Sequence, residues 1–274
     1  MSDQTQAEID AANAVFWNNL CGSHLAQMLG VTDDGLESLG RYDAWFFALY
    51  PYLLDHAPVA QFAGKRVLEV GLGYGSLSQK IAESGADYLG MDVANGPVAM
   101  VRHRLAQAGL PGDAVQHSFL DNGLPDASFD AVVAIGCFHH TGNVQRCFDE
   151  TWRLLKPGGY AHLMVYNRYS HRRWMQSRQL FLRELLAERL GLLKSARASR
   201  RERAANDRTL AGEAAPETVF LSVGEVKRRM RRFSAVRVCK ENMDDSDDPK
   251  WDRSRVLPTW GRRMGLDLYI TARK

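Results

Sequence analysis

The residues richest in chemistry lie in one short segment, VLEVGLGYG (Val67 to Gly75). There an apolar run carrying one acid, Glu69, gives way to glycines at 71, 73 and 75. Glycine reaches positive φ and lets a backbone approach a ligand closely. The dinucleotide fingerprint G-x-G-x-x-G is not met, because its last position is Ser76, and that disfavours a nicotinamide dehydrogenase. A second acid, Asp92, follows Glu69 by 23 residues, at the tip of the next apolar run. A carboxylate placed there can accept hydrogen bonds from both hydroxyls of a ribose. Loop and acid together point to an adenosine-type ligand at the C-terminal edge of a sheet.

The elements that must position these groups alternate strand and helix. Strands are predicted at Arg66 to Val70, Tyr88 to Val93, Ala114 to Phe119, Phe129 to Ile135 (FDAVVAI) and Tyr160 to Tyr166. Helices are predicted at 76–84, 97–109 and 143–155, the last stopped by Lys156-Pro157-Gly158-Gly159. Such alternation implies right-handed crossovers and a parallel sheet covered on both faces. Residues 1–60 read as an aromatic-rich helical cap and 61–166 as the α/β core. Residues 167–215 break the alternation and read as a helical, arginine-rich insertion or lid, after which 216–274 complete the core. Ser222-Val223-Gly224-Glu225 fits a capping box opening a basic helix, with two more strands near 235–240 and 266–272.

The segments VLEVGLGYG, YLGMDVA, SFDAVVAIGCFHH and RLLKPGG resemble successive motifs of the class I S-adenosylmethionine-dependent methyltransferases. The resemblance covers residues 64–166 and extends through the late strands. It implies an α/β, Rossmann-like, doubly wound sheet of seven strands with the last antiparallel, and S-adenosylmethionine as the cofactor. It also implies that Gly71, Gly73 and Gly75 form the loop under the methionine part, that Glu69 helps order that loop and the amino group, and that Asp92 holds the ribose. Family members usually carry an aspartate for the adenine amine after the third strand. This chain has Ser118, followed by Phe119, and a hydroxyl or backbone group there would take the aspartate's place. Gly136 and Cys137, after Ile135, would line the floor where the fourth strand ends.

Acceptor-side candidates follow from position. His139 and His140 fall at the rim after the fourth strand, where a histidine either takes a proton from the acceptor as a base or buttresses the loop. Cys137 has no neighbouring cation to activate it as a nucleophile. Trp17, Cys21 and His24 fall roughly on one helical face of the leading segment, where related enzymes cover the cofactor and shape the acceptor pocket; simple helix packing explains them equally well. Tyr166 and Asn167, at the end of the fifth strand, either touch an acceptor or mark an ordinary strand end. No metal is expected, because neither histidine has a partner ligand at a recognisable spacing.

Composition bounds the remaining choices. The chain has 274 residues, 45% hydrophobic and 24% charged, which excludes wholesale disorder and a disulfide-stapled miniprotein. A formal charge of +3 is too mild for the whole molecule to read as a nucleic-acid binder. Between Arg168 and Arg208, however, eleven arginines and one lysine face four acids. Nucleic acid, an anionic membrane surface and an anionic small substrate each fit that balance, as does a solvated helix face. The row Leu182, Leu185, Leu186 and Leu190 suits packing on the domain, a dimer partner or lipid. The acidic stretch Asp244 to Asp252 lacks calcium-loop spacing and could neutralise the arginines. Four cysteines without paired spacing, no export signal and no long apolar run point to the cytoplasm. The expected function is methyl transfer to a small molecule by in-line displacement. An RNA or protein methyltransferase, and a noncatalytic S-adenosylmethionine-binding protein, are the rival readings.

Overall fold

The structure, a computed structural model, describes residues 5–18, 28–31, 33–194, 196–209, 211–243 and 252–274. Seven strands form one sheet in the order β3-β2-β1-β4-β5-β7-β6. They are β1 (Arg66–Val70), β2 (Asp87–Asp92), β3 (Asp113–Gln116), β4 (Phe129–Ile135), β5 (Leu155–Tyr166), β6 (Ala235–Glu241) and β7 (Asp267–Arg273). Strands β1 to β5 pair in parallel, and β7 runs antiparallel to both β5 and β6. This is the expected seven-stranded α/β sheet with its last strand reversed.

Continuous apolar strands are explained by cover on both faces. Val67 and Val133 pack with Ile81, Val98 and Val101 on one side, while Leu68 and Val132 pack with Phe148, Leu163 and Ile270 on the other. The first face is covered by α3 (Ser76–Glu83) and α4 (Asn95–Gln107), the second by α5 (Val144–Leu154) and α9 (Val223–Arg229). The capping box at Ser222 and Glu225 forms, each side chain holding the other's backbone N–H.

Two boundaries differ from the sequence reading. β3 ends at Gln116 instead of Phe119, because the Ser118 hydroxyl accepts from Leu120 N and turns residues 119–121 into a 3-10 turn. β5 begins at Leu155, directly after α5, and the Lys156–Gly159 stretch is taken up as an irregularity. Phe129 pairs with Leu155, but Ala131 pairs with Tyr160.

The leading segment supplies α1 (Gln6–Trp17) and α2 (Leu36–Leu49). α2 is fixed behind the glycine loop by the Tyr42 ring stacked on Tyr74 at 3.9 Å, and by Asp43 accepting both guanidinium nitrogens of buried Arg104 at 2.8 and 2.9 Å. The insertion folds as α6 (His171–Gln176), α7 (Arg178–Arg189) and α8 (Arg200–Asn206). Many of its arginines are engaged internally. Arg168 reaches Glu184 and Glu225, Arg173 joins Glu184 to Glu202, and Arg203 donates to the carbonyls of Ala198 and Ala215. Leu182, Leu186 and Leu190 stay exposed while Leu185 is half-buried, so most of that row does not pack on the domain. Residues 244–251 of the acidic stretch lie outside the described residues. Among the described residues, no helix is long and apolar enough to cross a membrane.

Candidate active site

A cleft opens at the C-terminal edge of the parallel strands, between the ends of β1, β2 and β4 and the overlying α1. Its floor is Val70, Gly71, Gly73, Asp92 and Val93, continued by Ile135, Gly136 and Cys137. His117, Ser118, Phe119 and Leu120 wall one side. Asp10, Asn13, Trp17, His140 and Thr141 close the other.

The glycine loop is shaped by contacts that no other residue allows. Gly71 has φ +79°, and a Cβ there would lie 2.5 Å from Cys137 Cβ and 2.8 Å from its sulfur. Gly73 also has positive φ, but a Cβ on it would meet nothing within 4 Å, so this residue borders the open cleft. Gly75 sits behind the loop, where a Cβ would press on Val101 and Arg104 at 3.0 Å. It shapes the turn without lining the cleft.

Asp92 is buried, and its two oxygens accept from Leu72 N at 2.8 Å and Ala94 N at 2.9 Å. The carboxylate thus ties the glycine loop to the end of β2, and each oxygen keeps a further lone pair for a ligand. Desolvation raises its pKa, against the pull of those backbone N–H groups. Glu69 does not line the cleft. It lies beneath the loop, accepts from the Tyr88 hydroxyl at 2.7 Å, and is pushed by burial up to about 7. The expected contact of Glu69 with a ligand amino group is therefore replaced by support from below the loop.

The thiol of Cys137 donates to the Val70 carbonyl at 3.0 Å, and burial raises its pKa well above the ordinary range. Cys137 is a floor residue that keeps its proton. Phe119 stacks on Phe138 with centroids 5.1 Å apart, presenting a ring at the wall beside Ser118.

The two histidines separate. His139 is fully buried, with neither ring nitrogen hydrogen-bonded among the described residues, its ring tilted against Tyr166 at 4.0 Å and its pKa pushed well down by burial. It is a neutral packing residue behind the rim. His140 lines the cleft. Its Nδ1 lies 2.7 Å from the Glu217 carbonyl. A carbonyl only accepts, so Nδ1 is the donor in that contact, and the tautomer it selects carries its lone pair on Nε2. Among the described residues that nitrogen has no hydrogen-bond partner, and it lies 3.6 Å from Asp207 Oδ2.

Trp17 of the leading helix stands 5.1 Å from the His140 ring, centroid to centroid. α1 is pinned over the cleft by Asn13 Nδ2 donating to the His140 carbonyl at 2.8 Å, and by Gln6 Nε2 donating to Thr141 O at 2.8 Å. Cys21 and His24 lie outside the described residues. Tyr166 does not line the cleft, but its hydroxyl donates to Asp207 behind His140. Asn167 is buried away from the site, donating to Gly265 O at 2.7 Å and accepting from Tyr169 N at 3.0 Å. Its short side chain anchors the turn after β5.

Sequence reasoning missed Asp10, Asn13, Asp207 and the Glu217 carbonyl. Asn13 and Glu217 O meet His140 across separations of 127 and 77 residues, so no local pattern could have flagged them. Asp207 alone had a weak signal, as an acid at the end of an arginine-rich helix.

The topology, the glycine loop and the acid at the tip of β2 are those of a Rossmann-like, doubly wound α/β fold. Residues 68–163 match the family model described as a methyltransferase domain. Over those residues the chain resembles a methyltransferase domain. It is similar to a ubiquinone biosynthesis O-methyltransferase of Photorhabdus laumondii, 31% identical over 116 residues, covering 42% of this chain and 48% of that protein. The chain thus spans about half the length of the curated relatives it matches. In fold it resembles an S-adenosylmethionine-dependent methyltransferase from Mesorhizobium loti, with TM-score 0.54, 18% identity, and 83% and 98% of the two chains covered. It also resembles a Burkholderia thailandensis 1,6-didemethyltoxoflavin-N1-methyltransferase, whose structure holds that compound and S-adenosylhomocysteine. There the TM-score is 0.55 and the identity 16%, with 100% and 92% of the chains covered.

Proposed function

We propose that the protein transfers a methyl group from S-adenosylmethionine to a small-molecule acceptor within this cleft. One observation carries the reading. One cleft holds the glycine loop and buried Asp92 at one end, and at the other Trp17 with His140, whose Nε2 has no partner among the described residues. The residues fit the cofactor, since Gly73 leaves open space beside a carboxylate with lone pairs to spare. Gly71, Gly73 and Asp92 would hold its amino-acid and ribose parts, with Ser118 and Phe119 at the base. When bound, the cofactor supplies a methyl group already activated on a sulfonium.

The chain itself must align the acceptor, exclude water and accept a proton. Alignment contributes about 7–11 kcal/mol of barrier lowering in well-oriented reactions. The Asn13 and Gln6 bonds hold α1 over the cleft and keep water out. His140 accepts the proton at Nε2, and a base so placed adds roughly 10²–10⁴-fold. The O-methyltransferase activity named for the Photorhabdus relative supports an oxygen acceptor. Engagement of Arg168, Arg173 and Arg203 inside the insertion supports a small acceptor over a polymer. The exposed leucine row is the part of the insertion open to lipid or to a second copy of the chain, and vesicle flotation and light scattering separate those two cases. Free thiols at Cys137, Cys147 and Cys239 suit a reducing compartment, the cytoplasm.

Calorimetry tests the reading. Wild-type protein is expected to bind S-adenosylmethionine in the micromolar range, and no heat on titration would remove the proposal.

A further inference from the structure

Resting on that reading, we infer that Asp207, delivered by the insertion, is the second half of the acceptor-side site. With His140 it forms a pair of hydrogen-bond acceptors that admits neutral donors, such as a hydroxyl or a ring N–H, and turns away anions. His140 is nearly fully buried, yet its Nε2 lone pair has no donor among the described residues. The group facing it is another acceptor, Asp207 Oδ2, at 3.6 Å. That gap is too long for a hydrogen bond. Asp207 already accepts from the Tyr166 hydroxyl, so among the described residues the acceptor left unsatisfied is His140 Nε2, until something brings a proton to it beside the carboxylate. An incoming O–H or N–H does so. A carboxylate or phosphate would add negative charge beside Asp207 in a poorly screened site.

The insertion is built to hold Asp207 in place. Its amide donates to Arg203 O at 2.8 Å, closing α8, and its carbonyl accepts from Ala215 N at 3.1 Å. α8 is fixed to α6 and α7 by Arg173, which lies between Glu202 and Glu184. Both carboxylate oxygens of Asp207 accept from the Tyr166 hydroxyl at 3.1 Å. Beyond His140 and Tyr166, the ionic groups that act on Asp207 are Arg172, which donates to Asn206 at 2.9 Å, and the buried carboxyl of Asp267. The same segment continues to Glu217, whose carbonyl fixes the His140 tautomer. One excursion of the chain therefore orients the base and supplies its partner.

During transfer, the acceptor's proton passes to His140 Nε2 and its heteroatom lone pair forms the new bond to carbon. The carbon–sulfur electron pair stays on sulfur. Asp207 then faces an imidazolium whose charge it offsets.

The test uses two probes of one shape, 4-cyanophenol and 4-cyanobenzoate, titrated near neutral pH into full-length protein saturated with S-adenosylhomocysteine. Wild type is expected to prefer the phenol by at least tenfold. Asp207→Asn, nearly isosteric, is expected to erase that preference while S-adenosylhomocysteine affinity and melting temperature stay unchanged. Tyr166→Phe, which keeps the carboxylate, is expected to retain the preference. Equal binding of the two probes to wild type, binding of neither, or an unchanged preference in Asp207→Asn overturns the inference. Normal S-adenosylhomocysteine binding beside any of those results leaves the methyltransferase reading standing. Loss of that binding in wild type removes the methyltransferase reading itself.

Discussion

The two ends of the cleft are built by different means. The cofactor end comes from consecutive residues: a strand, a three-glycine turn and a helix, with one acid supplied by the adjacent strand. Its main tie, Leu72 N to Asp92, spans 20 residues, and rigid parallel strands fix the rest. The acceptor end is assembled from α1, the turn after β4 and both limbs of the insertion, over separations of 67 to 135 residues. The first can be read along the chain. The second exists only after folding, and its contents can change without disturbing the first.

That independence can be broken most severely at Gly71. Gly71→Val forces a branched side chain into positive φ and onto Cys137, and is expected to abolish S-adenosylhomocysteine binding in calorimetry. Retained binding would show that the loop is less constrained than these contacts require. Next comes Arg173→Ala, which leaves the Glu184 and Glu202 carboxylates without their shared cation. Removing one member of a buried pair costs about 3–5 kcal/mol. Limited proteolysis is expected to cut within 178–208 in this variant while cofactor affinity holds. A matching loss of affinity would join the two ends that this account separates.

His140→Gln is expected to lower turnover roughly 10²-fold without moving cofactor affinity. His139→Gln probes packing instead, with a lower melting temperature as its readout. If His139→Gln alone slowed turnover with the melt unchanged, the two roles would have to be exchanged.

The smallest effect concerns Glu69. Its folded pKa of about 7 exceeds the ordinary 4.5, so the folded state binds more protons between those values. Its contribution is present in full below about pH 4.5 and is lost as pH rises toward 7. Glu69→Gln should remove a slope of at most about 1.4 kcal/mol per pH unit from thermal stability across that window. An identical pH profile for both proteins would mean that Glu69 is not protonated in the folded state.

The legibility of the sequence divides along the same line. β1 and β4 were readable because strands covered on both faces are near-continuous apolar runs, and VLEV and FDAVVAI are apolar at every position but one. Gly71 and Asp92 were readable because backbone conformation and strand-end position leave a local trace. Glu69 shows the limit: residue type and spacing placed it near the loop, but the pleat of β1 turns its carboxyl toward Tyr88 and away from the cleft. The arginines of the insertion looked like a surface seeking a partner because part of their counter-charge, Glu225, lies outside that stretch and is met only after folding. Asp207 could not be ranked above the neighbouring acids, since its importance comes from His140, 67 positions earlier.

The central claim is that the glycine loop and Asp92 bind S-adenosylmethionine independently of the acceptor end. Calorimetric titration of wild type, Asp92→Ala and Asp207→Asn with S-adenosylhomocysteine tests it most directly. A loss of at least tenfold in Asp92→Ala (about 1.4 kcal/mol) with none in Asp207→Asn is the predicted result. Equal affinity in wild type and Asp92→Ala would contradict it.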